Sequence, residues 1–71
     1  MKYYCAEITD NDGEIYSYYF YCFNLWVVPM HITDLMENDG DFYGHDSRDT
    51  VRIEINELYD KPDSKYHVIR L

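Results

Sequence analysis

The segment Tyr3-Tyr4-Cys5-Ala6-Glu7-Ile8-Thr9-Asp10-Asn11-Asp12-Gly13-Glu14-Ile15-Tyr16-Ser17-Tyr18-Tyr19-Phe20-Tyr21-Cys22-Phe23 reads as a β-hairpin. Its arms, Tyr3 to Thr9 and Glu14 to Phe23, alternate on either side of Asp10-Asn11-Asp12-Gly13, which suits a type I turn with Gly13 left-handed as a bulge. Pairing Asp10 with Glu14 sets the register. Tyr4, Ala6 and Ile8 then share a face with Tyr16, Tyr18, Phe20 and Cys22, while Tyr3, Cys5, Glu7, Ser17, Tyr19 and Tyr21 share the other. The two cysteines, Cys5 and Cys22, point to opposite faces, so two reduced thiols are expected rather than a disulfide.

Downstream, Leu25-Trp26-Val27-Val28 is a short apolar run that either extends the second strand or forms one of its own, and Pro29 breaks it. A helix starting near Pro29 or Thr33 puts Ile32, Leu35 and Met36 on one stripe, with Gly40 as the stop. Asp39-Gly40-Asp41 through Ser47 reads as a polar loop carrying Phe42 and Tyr43. From Thr50 to Leu71 the pattern predicts a second hairpin. Val51, Ile53 and Ile55 alternate with Arg52, Glu54 and Asn56, and Lys61-Pro62-Asp63-Ser64 supplies a turn. Pairing Asp60 with Ser64 sets Ile55 opposite Ile69, Ile53 opposite Leu71, Glu54 opposite Arg70, and His67 across from Glu57. The expected order is β-β-α-β-β: an α+β fold in which a small antiparallel sheet of about four strands carries one short helix, with residues 1–71 as one domain.

A chain of 71 residues buries only roughly 60% of the surface its unfolded form exposes, so its stability margin is small, ~3–5 kcal/mol. Large aromatic side chains compensate, each burying about 150–250 Å². No stretch reaches the length of a membrane span, and Met1-Lys2-Tyr3-Tyr4-Cys5-Ala6-Glu7 meets acid too early for a signal peptide, so a cytoplasmic setting is expected.

Charge is unevenly distributed. Between Lys2 and Arg48 there is no lysine or arginine, yet the stretch holds Glu7, Asp10, Asp12, Glu14, Asp34, Glu37, Asp39, Asp41 and Asp46, and eleven of the thirteen aromatics. Residues 48–71 balance five basic groups (Arg48, Arg52, Lys61, Lys65, Arg70) against five acidic ones (Asp49, Glu54, Glu57, Asp60, Asp63), so the net charge of −8 arises entirely upstream. Direct nucleic-acid binding and an anionic membrane are both disfavoured, because each depends on Lys and Arg. Solubility alone does not require such segregation.

Catalytic and metal patterns are lacking. His31, His45 and His67 are widely spaced, with no Cys-x-x-Cys, His-x-x-x-His or nucleophile elbow to organise them, and no nucleophile has an evident base beside it. Asp10-Asn11-Asp12-Gly13-Glu14 and Asp39-Gly40-Asp41 offer oxygen donors, but neither fits an EF-hand: one alignment puts Ile8 at the first ligand and Tyr19 at the last, the other puts Thr50 where a bidentate Glu belongs. No catalytic residue, metal or cofactor is expected.

A surface of one sign bearing tyrosines suits a basic site on another protein, one that normally takes DNA or RNA. In this reading Asp10, Asp12, Glu14, Asp34, Glu37, Asp39 and Asp41 steer association and pair with basic residues, while Tyr19, Tyr21 and Trp26 are the anchors. In size, acidity and tyrosine content the chain resembles virus-encoded anti-defence proteins, such as anti-CRISPR and anti-restriction nucleic-acid mimics, and immunity proteins against nuclease toxins. That resemblance implies a small non-enzymatic inhibitor that occludes a nucleic-acid-binding enzyme. The alternative is a homo-oligomeric assembly protein that pairs through its aromatic face and an open sheet edge.

Overall fold

The computed structural model describes residues 1–71. Strands β1 (Lys2–Asp10) and β2 (Ile15–Cys22) form the first hairpin, followed by helix α1 (Val27–Asn38), strand β3 (Thr50–Leu58) and the short strand β4 (Val68–Arg70). The α+β architecture expected from the sequence is the one observed. Tyr4 faces Phe20, Ala6 faces Tyr18 and Ile8 faces Tyr16, and the Asp10 N–H donates to the Glu14 carbonyl at 3.0 Å, the predicted register. Gly13 closes the turn at φ +84°, a conformation that excludes most side chains.

The second half departs from expectation. β3 and β4 do not form a hairpin; the sheet order is β3-β1-β2-β4, with β3 antiparallel to β1 and β4 parallel to β2, so the sheet is mixed rather than antiparallel. Ile53 faces Ile8, Ile55 faces Ala6 and Ile69 faces Phe20, replacing the expected Ile53–Leu71 and Ile55–Ile69 pairs. Glu54 faces Glu7 rather than Arg70, and Glu57 faces Tyr4 and is bridged by Lys2 at 3.0 Å rather than by His67. The physical reason is burial: β1 needs neighbours on both sides to cover Tyr4, Ala6 and Ile8, all buried, and a separate hairpin would leave one side open.

The helix also begins earlier, at Val27, so the Leu25–Val28 run is not a strand. Asn24 accepts the Trp26 N–H at 3.0 Å through its side chain and the Val27 N–H at 3.3 Å through its carbonyl, which turns the chain out of β2. Pro29 then lies in the first helical turn, where its missing N–H leaves no bond unmade. Val28, Ile32, Leu35 and Met36 form the inward stripe against Tyr4, Ala6, Ile8, Phe20 and Cys22. Phe42, expected in a polar loop, is buried in this core. It lies edge-on to His31 at 6.0 Å and to Tyr18 at 5.2 Å, and stacks on Phe20 at 6.2 Å.

Phe42 and His45 exchange backbone hydrogen bonds of 3.0 and 2.9 Å around Tyr43 and Gly44, both at positive φ, so the loop is a tight pinned turn. Cys5 and Cys22 are free on opposite faces of the sheet, and burial pushes both thiols upward in pKa.

Candidate protein-binding surface

The expected contact residues separate onto three surfaces. At the first turn, Asp10 is half-buried and its Oδ1 accepts the N–H groups of Asp12 and Glu14 at 2.9 and 3.0 Å. One carboxylate oxygen thus holds the turn. Asp12 is exposed. Glu14 accepts the Tyr16 hydroxyl, and that carboxylate holds the phenol protonated and pushes its pKa up to about 12.

The turn is not isolated from the later loop. The Asn11 N–H donates to the Asp49 carbonyl at 2.8 Å, and a polar cavity of about 470 Å³ lies between the two segments, lined by Asp12, Asp49, Tyr16, Tyr18 and His45 among others. Tyr18 and His45 hydrogen-bond across it, and burial raises the Tyr18 pKa. Sequence reading missed this junction because Tyr18 and His45 are far apart in the chain. Asp46 is paired with Arg48 at 2.8 Å, and those hydrogen bonds hold its carboxyl down to about 2. The structure contains no group of three His, Cys, Asp or Glu side chains suited to a metal ion.

Tyr19 and Tyr21 lie on the face of the sheet away from the helix, and both are half-buried. Tyr21 packs on Tyr3 at 4.5 Å between ring centres and carries the Arg70 guanidinium at 5.3 Å; Tyr19 packs on Tyr66 at 4.9 Å, whose ring carries the Lys65 ammonium at 5.1 Å. Basic groups thus sit on the tyrosines where the sequence suggested an acidic frame. The parallel placement of β4 causes this, because it brings residues 65–70 across to the tyrosine side.

The outward face of α1 is different. Trp26, Met30, Thr33, Asp34 and Glu37 recur at helical spacing and line, with Pro29, a shallow groove of about 420 Å³. Trp26 is 71% exposed and Met30 69%, and the neighbouring Phe23 is 77% exposed. Glu37 is exposed and unpaired, and Asp34 accepts only the Asn38 side-chain amide at 2.7 Å. Asp39 and Asp41 follow at the helix end, both exposed.

The family models, the curated proteins and the solved structures give no match to this chain. Its helix nevertheless runs against the usual charge preference at both ends. The C-terminal turn has no basic residue and is followed by acids, against the helix dipole, and the N-terminal turn has no acid. A tryptophan and a methionine are also left in water. Trp26, Met30, Asp34 and Glu37 thus share one exposed outward face of α1, which makes it the candidate contact surface.

Proposed function

We propose that the chain is a small acidic inhibitor protein whose α1 outer face occupies a basic, nucleic-acid-binding site of another protein. Trp26 and Met30 act as the desolvated anchors, and Asp34, Glu37, Asp39 and Asp41 pair with lysine and arginine that otherwise hold phosphates. The observation that carries this reading is the exposed tryptophan beside unpaired carboxylates on one helix face, in a stretch of chain free of lysine and arginine. Binding by occlusion requires no chemistry from the inhibitor. Anti-CRISPR, anti-restriction and nuclease-immunity proteins are the kinds of inhibitor this description fits, and the partner is then a nucleic-acid enzyme of the host cytoplasm.

Tyr19 and Tyr21 belong to this contact less readily than the sequence suggested, since they lie across the sheet from the helix and already carry Tyr3, Tyr66 and Arg70. Self-association through the tyrosine face loses support for the same reason.

The test is affinity capture from a bacterial lysate on the immobilised chain, beside a variant combining Trp26→Ala, Asp34→Asn and Glu37→Gln. Capture of a nucleic-acid-binding enzyme that is released by duplex DNA or RNA and by raised salt, and lost with the variant, is the expected result. Equal capture by the variant, or capture indifferent to nucleic acid, would overturn the reading.

A further inference from the structure

The sheet has two edges of very different kinds. β4 offers three residues, whereas β3 leaves the outer side of nine residues, Thr50–Leu58, unpaired. Long open edges are ordinarily blunted by lysine, proline or a covering loop. β3 has neither of those residues, only a bulge opposite Thr9 and Asp10 that turns Val51 outward, leaving it 69% exposed. Ile53 shares the helix-side face with Ile8, yet it remains 38% exposed because α1 packs over β1 and β2 and stops short of the edge. A groove of about 330 Å³ runs beside it between Met36, Ser47, Val51 and Ile53.

We infer that this edge pairs with the same edge of a second copy, antiparallel about a two-fold axis at Ile53. In such a pair, residues facing each other across the axis lie on the same side of the sheet, so the axis must pass through a residue position. An axis at Arg52 sets arginine against arginine, and one at Glu54 sets glutamate against glutamate. An axis at Ile55 sets Ile53 against Glu57. Only the axis at Ile53 sets Arg52 opposite Glu54 of the second copy, twice by symmetry, and brings the two Ile53 side chains together with Val51 of one copy near Ile55 of the other. Toward its ends, Asp49 approaches Glu57, whose charge Lys2 already meets at 3.0 Å.

Charge permits this association where it would oppose others. Each chain carries −8, but residues 48–71 contribute nothing to that sum, so β3 belongs to the neutral part of the chain. The inner neighbours also suit it. Glu54 faces Glu7 of β1, a like-charge pair relieved only by Arg52 of its own strand at 3.2 Å, and a second Arg52 from the other copy adds the missing cation. The pairing uses neither the α1 outer face nor the acidic turn, so it is independent of the inhibitor reading and would double that surface.

Sedimentation of the full chain from micromolar to millimolar concentration tests the inference, with Arg52→Glu, Glu54→Arg and the combined exchange. The wild type and the combined exchange are expected to dimerise. Each single reversal is expected to weaken dimerisation roughly tenfold or more, since two attractive pairs become repulsive. Mixing the two single variants should restore it as a heterodimer, distinguished by mass. Glu54→Arg also removes the Glu7–Glu54 repulsion, so it is the variant whose folding is safest. A wild type that stays monomeric, as it would if the edge serves a foreign strand, overturns the inference. So do folded single variants that dimerise like the wild type, or a mixture that forms no heterodimer.

Discussion

The two broad faces of this molecule are both aromatic, but they use their aromatics in opposite ways. On the tyrosine face, Tyr3, Tyr19, Tyr21 and Tyr66 pack on one another and are topped by Lys65 and Arg70. On the helix face, Trp26 and Met30 project into water beside Asp34 and Glu37. Aromatic content alone therefore says little about where a partner sits. Rings that find cations and other rings within the chain stabilise the fold, while rings left beside unpaired carboxylates remain free to take a cation from elsewhere.

The largest effect tests what lies beneath the helix face. Phe42→Ala removes a fully buried ring from between Phe20, Tyr18 and His31 and should cost ~3–5 kcal/mol, as much as the whole margin, so circular dichroism should show the variant largely unfolded without denaturant. The loop that carries Asp39 and Asp41 into position would then lose its anchor.

Next, Trp26→Ala and Tyr21→Ala should behave as mirror images. Trp26→Ala is expected to weaken partner binding by ~2 kcal/mol or more, about thirtyfold, with stability changed by less than ~0.5 kcal/mol because the side chain is largely in water. Tyr21→Ala should instead lower the unfolding free energy by ~1–2 kcal/mol and leave binding near the wild-type value. If both variants lost binding equally, the distinction between the faces would collapse.

A smaller effect separates fold from function within the helix. Replacing Asp34 with Asn and Glu37 with Gln removes negative charge near a C-terminus that already carries partial negative charge, so stability should rise by ~0.3–1 kcal/mol while association with a basic partner slows. Stopped-flow association rates and urea midpoints read the two changes separately.

The subtlest effect lies at the acidic turn. Tyr16 is held protonated by Glu14 with its pKa near 12, above its ordinary value of 10, so the linked stability is fully present below about pH 10 and is lost as pH rises through about 12. In Glu14→Gln the ring resonances of Tyr16, followed by NMR, should titrate closer to pH 10.

Much of the helix side was legible in the sequence. The turn Asp10-Asn11-Asp12-Gly13 permits few registers, and alternation over Tyr3–Thr9 and Glu14–Phe23 selects the observed one. The stripe of Ile32, Leu35 and Met36 was equally plain, although the helix starts at Val27 because proline is tolerated within a first turn and does not mark its beginning.

The order of strands was not legible. The turn expected at Lys61-Pro62-Asp63-Ser64 falls two residues later, over Asp63–Tyr66, where the Lys65 N–H bonds to the Asp63 side chain at 3.0 Å and the Tyr66 N–H to the Asp63 carbonyl at 3.0 Å. It turns the chain within a crossing segment rather than between paired strands. One residue did carry the missing information. Ala6, the sole alanine, is fully buried with Tyr18 on one side and Ile55 on the other, and so small a residue between large ones marks a central strand needing two neighbours. Of the candidate contacts, Asp34, Glu37, Asp39 and Asp41 were singled out by charge and Trp26 as the sole tryptophan, while their exposure came only with the structure. The turn-holding role of Asp10 was not legible, because a carboxylate that caps its own turn looks in sequence like any other acid.

The central claim is that α1's outer face meets a basic partner through Trp26. As the sole tryptophan, it can be replaced throughout by fluorotryptophan to give one fluorine resonance. On addition of the captured nucleic-acid enzyme, unlabelled, that resonance should shift or broaden, and duplex DNA or RNA should return it to its free position. A resonance unchanged at saturating partner would contradict the claim.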